Sequence, residues 1–313
     1  MTERAHLRGD ADAPKDEAPR LSVVFLSYNR RDMLRDGLAS VVNQDHDSVQ
    51  IVVVDNASED GSADMVRAEF PQVELVALTE NCGIRGRNVG FREARAPVVL
   101  SLDDDIRLLR PGALARVLEH FATHPACVAT TLKITEDGEG REYADAHWWH
   151  PRSRDGFQDQ SFETDQISEA AVAFRRDALE RAGGYYESLF WGGEQWDLAL
   201  ALIDGGGEIH YLPEPVHHGA PRGDLNHLAD PRHALNVRNR CWIALRRLPV
   251  PQALAYTVPR LALWALRSLR YGYAKHYLEG LVGLVRALPQ IWRERKVVSR
   301  QTLTRLRAIR SGV

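Results

Sequence analysis

Cysteine is scarce in this chain of 313 residues, and Cys82, Cys127 and Cys241 stand far apart with no C-x-x-C pair. This scarcity argues against a disulfide framework and a cysteine-based zinc site, and it fits a reducing compartment. The chain also lacks an uncharged apolar run of the roughly 18–20 residues that a membrane-spanning helix needs. Its longest apolar region, residues 248–288, is interrupted by five basic side chains, so we expect no transmembrane helix.

The amino terminus lacks the apolar centre of a secretory signal peptide. Residues 1–19 are polar and charged, which predicts a disordered leader and a cytoplasmic protein. The chain has no internal repeat, and 44% of its residues are apolar while 27% are charged. This balance is typical of a globular protein and excludes a wholly disordered or collagen-like chain.

The net charge of −3 hides a strong asymmetry along the chain. Residues 1–231 contain 23 Lys and Arg against 41 Asp and Glu, whereas residues 232–313 contain 17 against 2. The basic part is rich in aromatic residues and leucine, and helices expected at 259–272 and 277–288 would place cations beside broad apolar faces. We therefore expect a main domain at 20–231 and a basic amphipathic helical extension at 232–313.

Two interpretations of this extension are equally good. Basic amphipathic helices are typical of attachment to an anionic membrane surface. Packing on the main domain or formation of a homodimer would use the same apolar faces. Nucleic acid is not an expected partner, because the apolar content of the extension is high.

Short β-branched runs alternate with helical patterns through the first part of the chain. The runs lie at 21–26, 51–55, 73–78 and 98–102, and helices are expected at 33–42, 62–70, 87–94 and 113–123. This alternation predicts an α/β fold with a mostly parallel sheet flanked by helices. Because ligands of such sheets bind beyond the carboxyl ends of the strands, the polar residues that follow each run are the candidate site.

Asp103, Asp104 and Asp105 follow the apolar run at 98–102. Adjacent carboxylates repel one another, and a bound cation relieves that repulsion. Alternate residues of an extended segment point the same way, so Asp103 and Asp105 can offer oxygens to Mg²⁺ or Mn²⁺ from one face. A solvated acidic loop or a helix cap explains the triplet equally well when it is taken alone.

Two more features lie where strands end. Asp55 follows four β-branched residues and can accept a hydrogen bond from a nucleobase or a ribose, although it also fits a turn. The glycine-rich segment 81–90 carries two arginines and can bring N–H groups and a guanidinium to a diphosphate. A tight helix-entry loop is the simpler interpretation of that segment.

Glu194 and Asp197 lie three residues apart at the start of an expected helix, so they share a face. Beside tryptophans, a carboxylate there can have a raised pKa and act as a general base, and helix capping is the alternative. His217 and His218 follow an expected strand at 209–212. A neutral imidazole there can complete a metal site, although a surface histidine pair is the simpler interpretation.

Taken together and in this order, these segments resemble the family 2 glycosyltransferases, whose nucleotide-sugar-binding fold is called GT-A. The resemblance covers residues 21–219. The matching segments are VVFLSYNR (23–30), VVVDNASEDGS (52–62), NCGIRGRNVG (81–90), LSLDDD (100–105), FRRDALERAGGY (174–185) and GGEQWDLALAL (192–202). The resemblance implies an inverting enzyme, similar to rhamnosyltransferases and galactofuranosyltransferases, that moves a sugar from a UDP- or dTDP-sugar to an acceptor hydroxyl in cell-envelope or natural-product glycosylation.

The resemblance also implies roles for individual residues. The donor would lie against Ser27, Tyr28, Arg30, Asp55, Asn81, Arg87, Asn88, Asp103 and Asp104. The cation, Mg²⁺ or Mn²⁺, would be held by Asp103, Asp105 and His217, or less readily by His218 in place of His217. Glu194 would be the catalytic base with Asp197 in reserve, and Trp149, Trp191 and Trp196 would contact the acceptor.

One position departs from the family. Gln195 stands where the family commonly has a second acid, and an amide is not a base near neutral pH. We therefore assign the base to Glu194. The same departure supports an alternative, a catalytically impaired nucleotide-sugar-binding or scaffold protein. The implied acceptor is a lipid-linked glycan or a small-molecule aglycone, and a protein held peripherally on the inner face of the cell membrane would suit the first.

Overall fold

The computed structural model describes residues 18–45, 48–136, 138–140, 144, 147–219 and 232–311. These residues contain nine strands: β1 (Leu21–Ser27), β2 (Val49–Asp55), β3 (Glu74–Ala77), β4 (Val98–Asp103), β5 (Ile106–Leu108), β6 (Cys127–Thr135), β7 (Phe162–Thr164), β8 (Ala171–Arg175) and β9 (Glu208–His218). They form one sheet in the order β3-β2-β1-β4-β8-β6-β9-β5, with β7 paired to β9. Most of the expected leader at 1–19 lies outside the described residues.

The sheet is mixed, and its longest ladders are parallel, as expected from the sequence. Strands β1, β2, β3 and β4 run parallel to one another, and β6 runs parallel to β9. Strand β8 is antiparallel to both β4 and β6, and β9 is antiparallel to β5 and β7.

Helices cover both faces of the sheet. Their bounds are α1 (Arg31–Val42), α2 (Ser62–Glu69), α3 (Arg85–Glu93), α4 (Ala113–Thr123), α5 (Arg154–Phe157), α6 (Arg176–Ala182), α7 (Glu194–Asp204), α8 (Arg232–Arg247), α9 (Val250–Arg270), α10 (Ala274–Arg293) and α11 (Arg300–Ser311). Alternate residues of each central strand point to opposite faces, so Phe25 of β1 joins the cluster under α1, α2 and α4. Val24 joins the second cluster, under α3, α6 and α7.

Two glycines let α3 lie close to the sheet. A Cβ on Gly86 would lie 2.5 Å from Leu26 Cδ1, and a Cβ on Gly90 would collide with Val24 Cγ1. Any larger side chain at these positions would push the helix away from β1. This close approach places the loop before α3 at the carboxyl edge of β1 and β2.

The C-terminal helices α8–α11 add to the second hydrophobic cluster. Trp242 of α8, Ile291 of α10 and Leu306 of α11 are buried there beside residues of α7. The helices expected at 259–272 and 277–288 are longer than the sequence suggested, because α9 covers Val250–Arg270 and α10 covers Ala274–Arg293. Within the described residues, none of the helices combines the length and apolar content needed to cross a bilayer. The division into a domain at 20–231 and an extension at 232–313 stays a prediction.

Candidate functional site

The carboxyl ends of β1, β2 and β4 meet at one edge of the sheet. In the strand register Ser27 is the partner of Asp55, and Leu26 is the partner of Asp103. Asp55 Oδ2 accepts a hydrogen bond from the Ser58 N–H at 3.2 Å. The Ser27 hydroxyl and Asp55 Oδ1 are buried, and neither has a hydrogen-bond partner in the described part of the chain. Buried polar atoms are normally paired, so these two can receive a ligand.

The aspartate triplet is tied to the loop after β1. The Tyr28 N–H donates to Asp104 Oδ2 at 3.1 Å, while the Arg30 guanidinium contacts Asp104 Oδ1 at 3.3 Å and also pairs with Asp105. Burial raises the pKa of Asp104 to about 7. Burial and the neighbouring charge of Asp103 also raise the pKa of Asp105. The carboxylates therefore lie in a region that Arg30 does not fully neutralise.

These residues fit a divalent cation. Asp105 Oδ1 is buried and has no hydrogen-bond partner among the described residues. The Asp103 side chain is about one-third exposed, so it can reach a ligand from the same edge. Carboxylate oxygens are the donors that Mg²⁺ and Mn²⁺ prefer, and an added positive charge would offset the raised pKa values.

Of the two adjacent histidines considered for the cation, His218 contacts this triplet, so we favour it over His217, the first choice from the sequence. His218 Nε2 lies 3.6 Å from Asp105 Oδ2. Side chains alternate along a strand, so His217 of β9 points the other way, towards Gly138, where a Cβ would lie 3.8 Å from His217 Cε1. The sequence does not define the register of β9, so it could not show which of the two histidines faces Asp105.

His218 also belongs to a second group that the sequence did not reveal. Glu136, His147 and His218 place one potential ligand atom each within 4.8 Å of one another. The rings of His147 and His218 are 4.9 Å apart. His218 therefore lies between Asp105 and the other two members of this group, Glu136 and His147, at the edge of the candidate cation site.

Arg87 and Asn88 lie beneath the site rather than on its surface. Arg87 donates to the Ser101 hydroxyl at 2.6 Å and pairs with Asp103, and its side chain is only 4% exposed. The Asn88 side chain donates to the Tyr185 carbonyl at 2.8 Å and accepts from the Tyr185 N–H at 2.9 Å. The backbone of Tyr185 therefore already uses both the donor and the acceptor of the Asn88 amide. Both residues support the site through these contacts. Direct contact of Arg87 and Asn88 with the donor, which the sequence suggested, stays a prediction.

Asn81 shapes the loop before α3. Its Oδ1 accepts hydrogen bonds from Asn56 Nδ2 at 3.0 Å and from the Gly83 N–H at 2.9 Å. Asn56 Oδ1 in turn accepts from the Cys82 N–H at 3.0 Å. This ring of hydrogen bonds fixes the loop next to Asp55. Asn81 is exposed, so its amide nitrogen lies at the surface of the site.

Glu194 is the first residue of α7 and directly follows Gly193, which has a φ of 89°. Its side chain is buried, and Oε2 has no hydrogen-bond partner in the described residues. Burial raises its pKa to about 7, and interactions with Arg87 and Asp103 partly offset each other. These interactions put Glu194 in the same charged cluster as the end of β4. A carboxylate with this pKa can take a proton near neutral pH.

Glu169 is a member of this cluster that the sequence analysis missed. Its Oε1 accepts a hydrogen bond from the Gln195 N–H at 3.0 Å. Burial, followed by the charge of Glu194, raises its pKa well above the ordinary value. Its position just before an apolar strand was the available signal, but only the antiparallel pairing of β8 with β4 places it near Asp103.

Asp197 does not face the site. Its carboxylate accepts hydrogen bonds from Arg246 Nη1 at 2.6 Å and from Arg247 Nη2 at 2.7 Å, and all three residues are buried. Two buried guanidiniums therefore already occupy the oxygens of this carboxylate. We interpret Asp197 as a structural anchor, in contrast to its expected role as a reserve base.

The three tryptophans expected at the acceptor site do not lie together. Trp149 and Trp196 line a cavity of about 500 Å³, together with Gln195. Four arginines of the C-terminal helices also line it: Arg240, Arg260, Arg307 and Arg310. Trp191 is not part of this lining, and its ring lies under the Arg232 guanidinium at 5.1 Å.

The chain resembles known glycosyltransferases in sequence and in structure. It is 36% identical over 116 residues to the succinoglycan biosynthesis protein ExoO of Rhizobium meliloti (strain 1021), and the match covers 36% of this chain and 33% of ExoO. It is also 29% identical over 125 residues to a Campylobacter jejuni GalNAc(5)-diNAcBac-PP-undecaprenol beta-1,3-glucosyltransferase. This match covers 38% of this chain and 40% of that protein. The matches thus span less than half of these relatives.

A likeness in fold extends further along the chain. The mannosyltransferase PcManGT from Pyrobaculum calidifontis, solved in complex with GDP-Man and Mn²⁺, matches with a TM-score of 0.56 and 20% identity. The match covers 94% of this chain and 80% of that one. The α/β layers and this likeness confirm the expected GT-A fold class. The family model described as glycosyl transferase family 2 matches residues 22–183, just over half of the chain. The chain therefore belongs to glycosyl transferase family 2.

Proposed function

We propose that the protein transfers a sugar from a nucleoside-diphosphate donor to an acceptor hydroxyl, with inversion at the anomeric carbon. The observation that carries this proposal is the position of Glu194, a buried carboxyl group with a pKa of about 7, in one charged cluster with Asp103. A base and a diphosphate site must lie together for such a transfer. Gln195 cannot be the base, and the nearby Glu194 makes a second acid unnecessary.

Glu194 would remove the proton of the acceptor hydroxyl as the acceptor oxygen attacks. Its buried position keeps it neutral until the pH approaches its pKa, and it becomes a carboxylate that can accept the proton above that value. Arg87 and Asp103 fix its surroundings from below. Ser27 and Asp55 would receive the nucleoside through their unpaired oxygens. Orientation of donor and acceptor in this way supplies a large part of the rate enhancement.

Asp103 and Asp105 would hold the divalent cation, with His218 beside them. When bound, the cation would neutralise the charge of the departing nucleoside diphosphate. Arg30 lies at the same carboxylates, so it would share in holding negative charge at this edge. The complex of PcManGT with GDP-Man and Mn²⁺ supports a manganese-dependent site, and we propose Mn²⁺ or Mg²⁺ here.

Donor binding can be tested apart from catalysis. Thermal unfolding would be measured with UDP-, dTDP- and GDP-sugars, with and without Mn²⁺, because a ligand that binds the folded state raises the melting temperature. We expect one donor class to stabilise the protein only when Mn²⁺ is present, and slow donor hydrolysis to follow. Asp105→Asn should abolish the shift, whereas Asp64→Asn, an exposed aspartate on α2, should keep it. No shift with any donor would contradict the proposal.

The same experiment separates the enzyme from the scaffold alternative. Glu194→Gln keeps the size of the side chain but removes the base. We expect this variant to bind the donor as the parent does while donor hydrolysis and transfer are lost. A parent protein that binds the donor with Mn²⁺ but never releases the sugar would support the scaffold alternative instead.

The cavity beside Gln195 gives a candidate acceptor site. Trp149 and Trp196 can stack on a sugar ring, and the four arginines that line the cavity favour an acceptor with phosphate or carboxylate groups. A glycan linked to a lipid through a diphosphate has both features, which the name of the Campylobacter relative also contains. We propose a lipid-linked glycan in preference to a neutral aglycone. An acidic, diphosphate-linked acceptor should therefore be used in preference to its neutral, dephosphorylated form.

The outer faces of α9 and α10 suit such an acceptor. They expose ten large apolar side chains: Val250, Leu254, Val258, Leu263, Leu266, Leu269, Leu278, Val282, Val285 and Trp292. Exposed basic residues interrupt them, namely Arg260, Arg267, Arg270, Lys275, Arg286 and Arg293. Apolar side chains mixed with cations match the interface of an anionic bilayer. We propose that this face holds the protein peripherally on the inner side of the cell membrane.

A further inference from the structure

Three histidines meet near the start of β9, at the opposite end of that strand from His218. His120 lies in the last turn of α4, His124 directly follows this helix, and His210 is the third residue of β9. His120 Nε2 is 3.0 Å from His210 Nδ1, and the rings of His120 and His124 are stacked at 4.3 Å. One potential ligand atom of each of the three lies within 4.8 Å of the others. Nitrogens that bind a tetrahedral zinc at about 2.0–2.1 Å are about 3.3 Å from one another. A small movement of the side chains would therefore bring the three histidines to the spacing that zinc needs.

The surroundings fix which nitrogen of each ring carries a lone pair. His210 Nε2 lies 3.0 Å from the carboxylate of Glu208, which can only accept, so the neutral ring keeps its lone pair on Nδ1. His124 Nδ1 lies 3.0 Å from the His120 carbonyl, so its lone pair is on Nε2. His120 Nε2 then donates its proton to His210 Nδ1. A cation between these two rings would replace that proton, which moves to the other nitrogen of His120.

The Glu208–His210 contact is the arrangement that supports a metal ligand. Carboxylates behind metal-bound histidines orient the ring and strengthen the nitrogen as a donor. His120 and His210 are buried, whereas His124 is exposed and leaves one side of the group open to solvent. An ion can therefore reach the three imidazoles without unfolding of the protein.

Cys127 is near this group but does not belong to it. It is the strand partner of Glu208 at the start of β6. Its buried thiol donates to the Ala129 carbonyl at 3.2 Å. The potential ligand atoms that lie within 4.8 Å of one another are those of the three histidines and do not include the Cys127 sulfur. The donor set is therefore three imidazole nitrogens.

We propose that His120, His124 and His210 form a binding site for Zn²⁺ or a similar late transition-metal ion, separate from the catalytic cation. Imidazole nitrogens suit Zn²⁺, Co²⁺ and Ni²⁺, whereas Mg²⁺ and Mn²⁺ prefer oxygen ligands such as the aspartate triplet. Seven residues of β9 lie between His210 and His218, which puts the two histidines roughly 25 Å apart along an extended strand. An ion here would join the end of α4 to the start of β9 and so stabilise this side of the sheet.

The test uses the full chain with the variant His218→Ala, which removes the competing Glu136–His147–His218 group. Binding of ZnCl₂ would be followed by metal analysis after equilibrium dialysis, and CoCl₂ would be followed by its visible d–d absorption. We expect one tightly bound Zn²⁺ per chain and a melting temperature that rises with ZnCl₂. Adding His124→Ala should weaken Zn²⁺ binding at least tenfold and abolish the rise. Because His124 is exposed, this change should leave the fold intact.

Two further variants keep the test decisive. His276→Ala removes a half-buried histidine of α10 that pairs with Glu279, and it should leave Zn²⁺ binding unchanged. Glu208→Ala removes the supporting carboxylate and should weaken binding about 10–100-fold. A protein that binds no Zn²⁺, or whose Zn²⁺ affinity is the same after His124→Ala, would overturn the proposal. Donor binding with Mn²⁺ is a separate measurement, so failure here does not affect the proposed function.

Discussion

Arg247 and Asp197 form a two-point ion pair in the interior of the protein. Arg247 Nε donates to Oδ1 at 2.8 Å and Nη2 donates to Oδ2 at 2.7 Å, and Arg246 contacts the same carboxylate. The pair joins α8 of the C-terminal helices to α7, whose first residue is Glu194. The C-terminal helices therefore hold the helix that carries the proposed base, and their contribution to activity would extend beyond membrane binding.

Loss of this anchor should be costly. Asp197→Asn keeps the shape of the side chain but leaves two buried guanidiniums without a counter-charge. We expect the free energy of unfolding to fall by about 3–5 kcal/mol, which is typical of breaking a buried ion pair by removing one partner. Urea denaturation followed by circular dichroism would measure the change.

An exposed ion pair gives the matched control. Asp177 and Arg181 contact each other at 2.7 Å on the surface of α6. Asp177→Asn should change the free energy of unfolding by less than about 1 kcal/mol. If Asp197→Asn were as stable as the parent and lost only turnover, Asp197 would be the base after all.

The sequence predicted the parallel part of the sheet well, because its strands are continuous β-branched runs. The runs at 21–26, 51–55 and 98–102 agree with β1, β2 and β4 to within two residues at each end. Strand β6 was missed, since CVATTLKIT mixes polar and apolar residues and was not recognised as a strand. Strands β5 and β7 have only three residues each, too few to show a period.

Polar residues after the strands could be identified from the sequence, but their contacts could not. The alignment of Ser27, Asp55 and Asp103 follows from parallel pairing alone. The nearness of Glu169 depends on the antiparallel strand β8, and the choice of His218 over His217 depends on the register of β9. Asp197 looked equivalent to Glu194 because helical spacing does not show that two arginines, 49 and 50 residues later, meet its carboxylate.

Turnover should depend on the protonation of Glu194. Burial raises its pKa to about 7, and only the carboxylate can accept the acceptor's proton. We expect kcat to rise as the pH increases from about 6 to 8 and then to level off. The pH profile of sugar transfer would be measured with saturating donor and Mn²⁺. A profile that is flat through pH 7, or that falls, would contradict the assignment.

The same residue should make the protein less stable at higher pH. Glu194 has an ordinary pKa of 4.5 when unfolded and about 7 when folded, so the folded state binds more protons between these values. Its contribution to stability is therefore present below pH 4.5 and is lost as the pH rises to about 7. Glu194→Gln avoids this loss. Relative to the parent, the variant should gain about 3 kcal/mol between pH 4.5 and 8, measured by urea denaturation. If the difference in stability between the variant and the parent did not change with pH, the pKa of Glu194 would not be raised in the folded protein.

Two adjacent histidines test the cation site. His218 Nε2 lies 3.6 Å from Asp105 Oδ2, whereas side-chain alternation along β9 puts His217 on the other face of the strand. His218→Ala should weaken Mn²⁺-dependent donor binding about tenfold or more, since it removes a group beside the cation. His217→Ala should have a much smaller effect. The apparent Mn²⁺ affinity would be measured by titration at a fixed donor concentration. The reverse order of effects would restore His217 as the site residue.

Membrane attachment should depend on the apolar side chains of α9. Leu266 and Leu269 are 67% and 71% exposed, and burying a leucine contributes about 1.5–3 kcal/mol. Replacing both with serine should reduce flotation with anionic phosphatidylglycerol vesicles at least tenfold, while the parent should bind best at low salt. Val42→Ser, at an exposed position on α1, is the control and should float as the parent does.

A different result would contradict the membrane proposal. If the parent did not bind the vesicles, and if light scattering showed that the double variant is a monomer while the parent is a dimer, this face would join two copies of the chain instead.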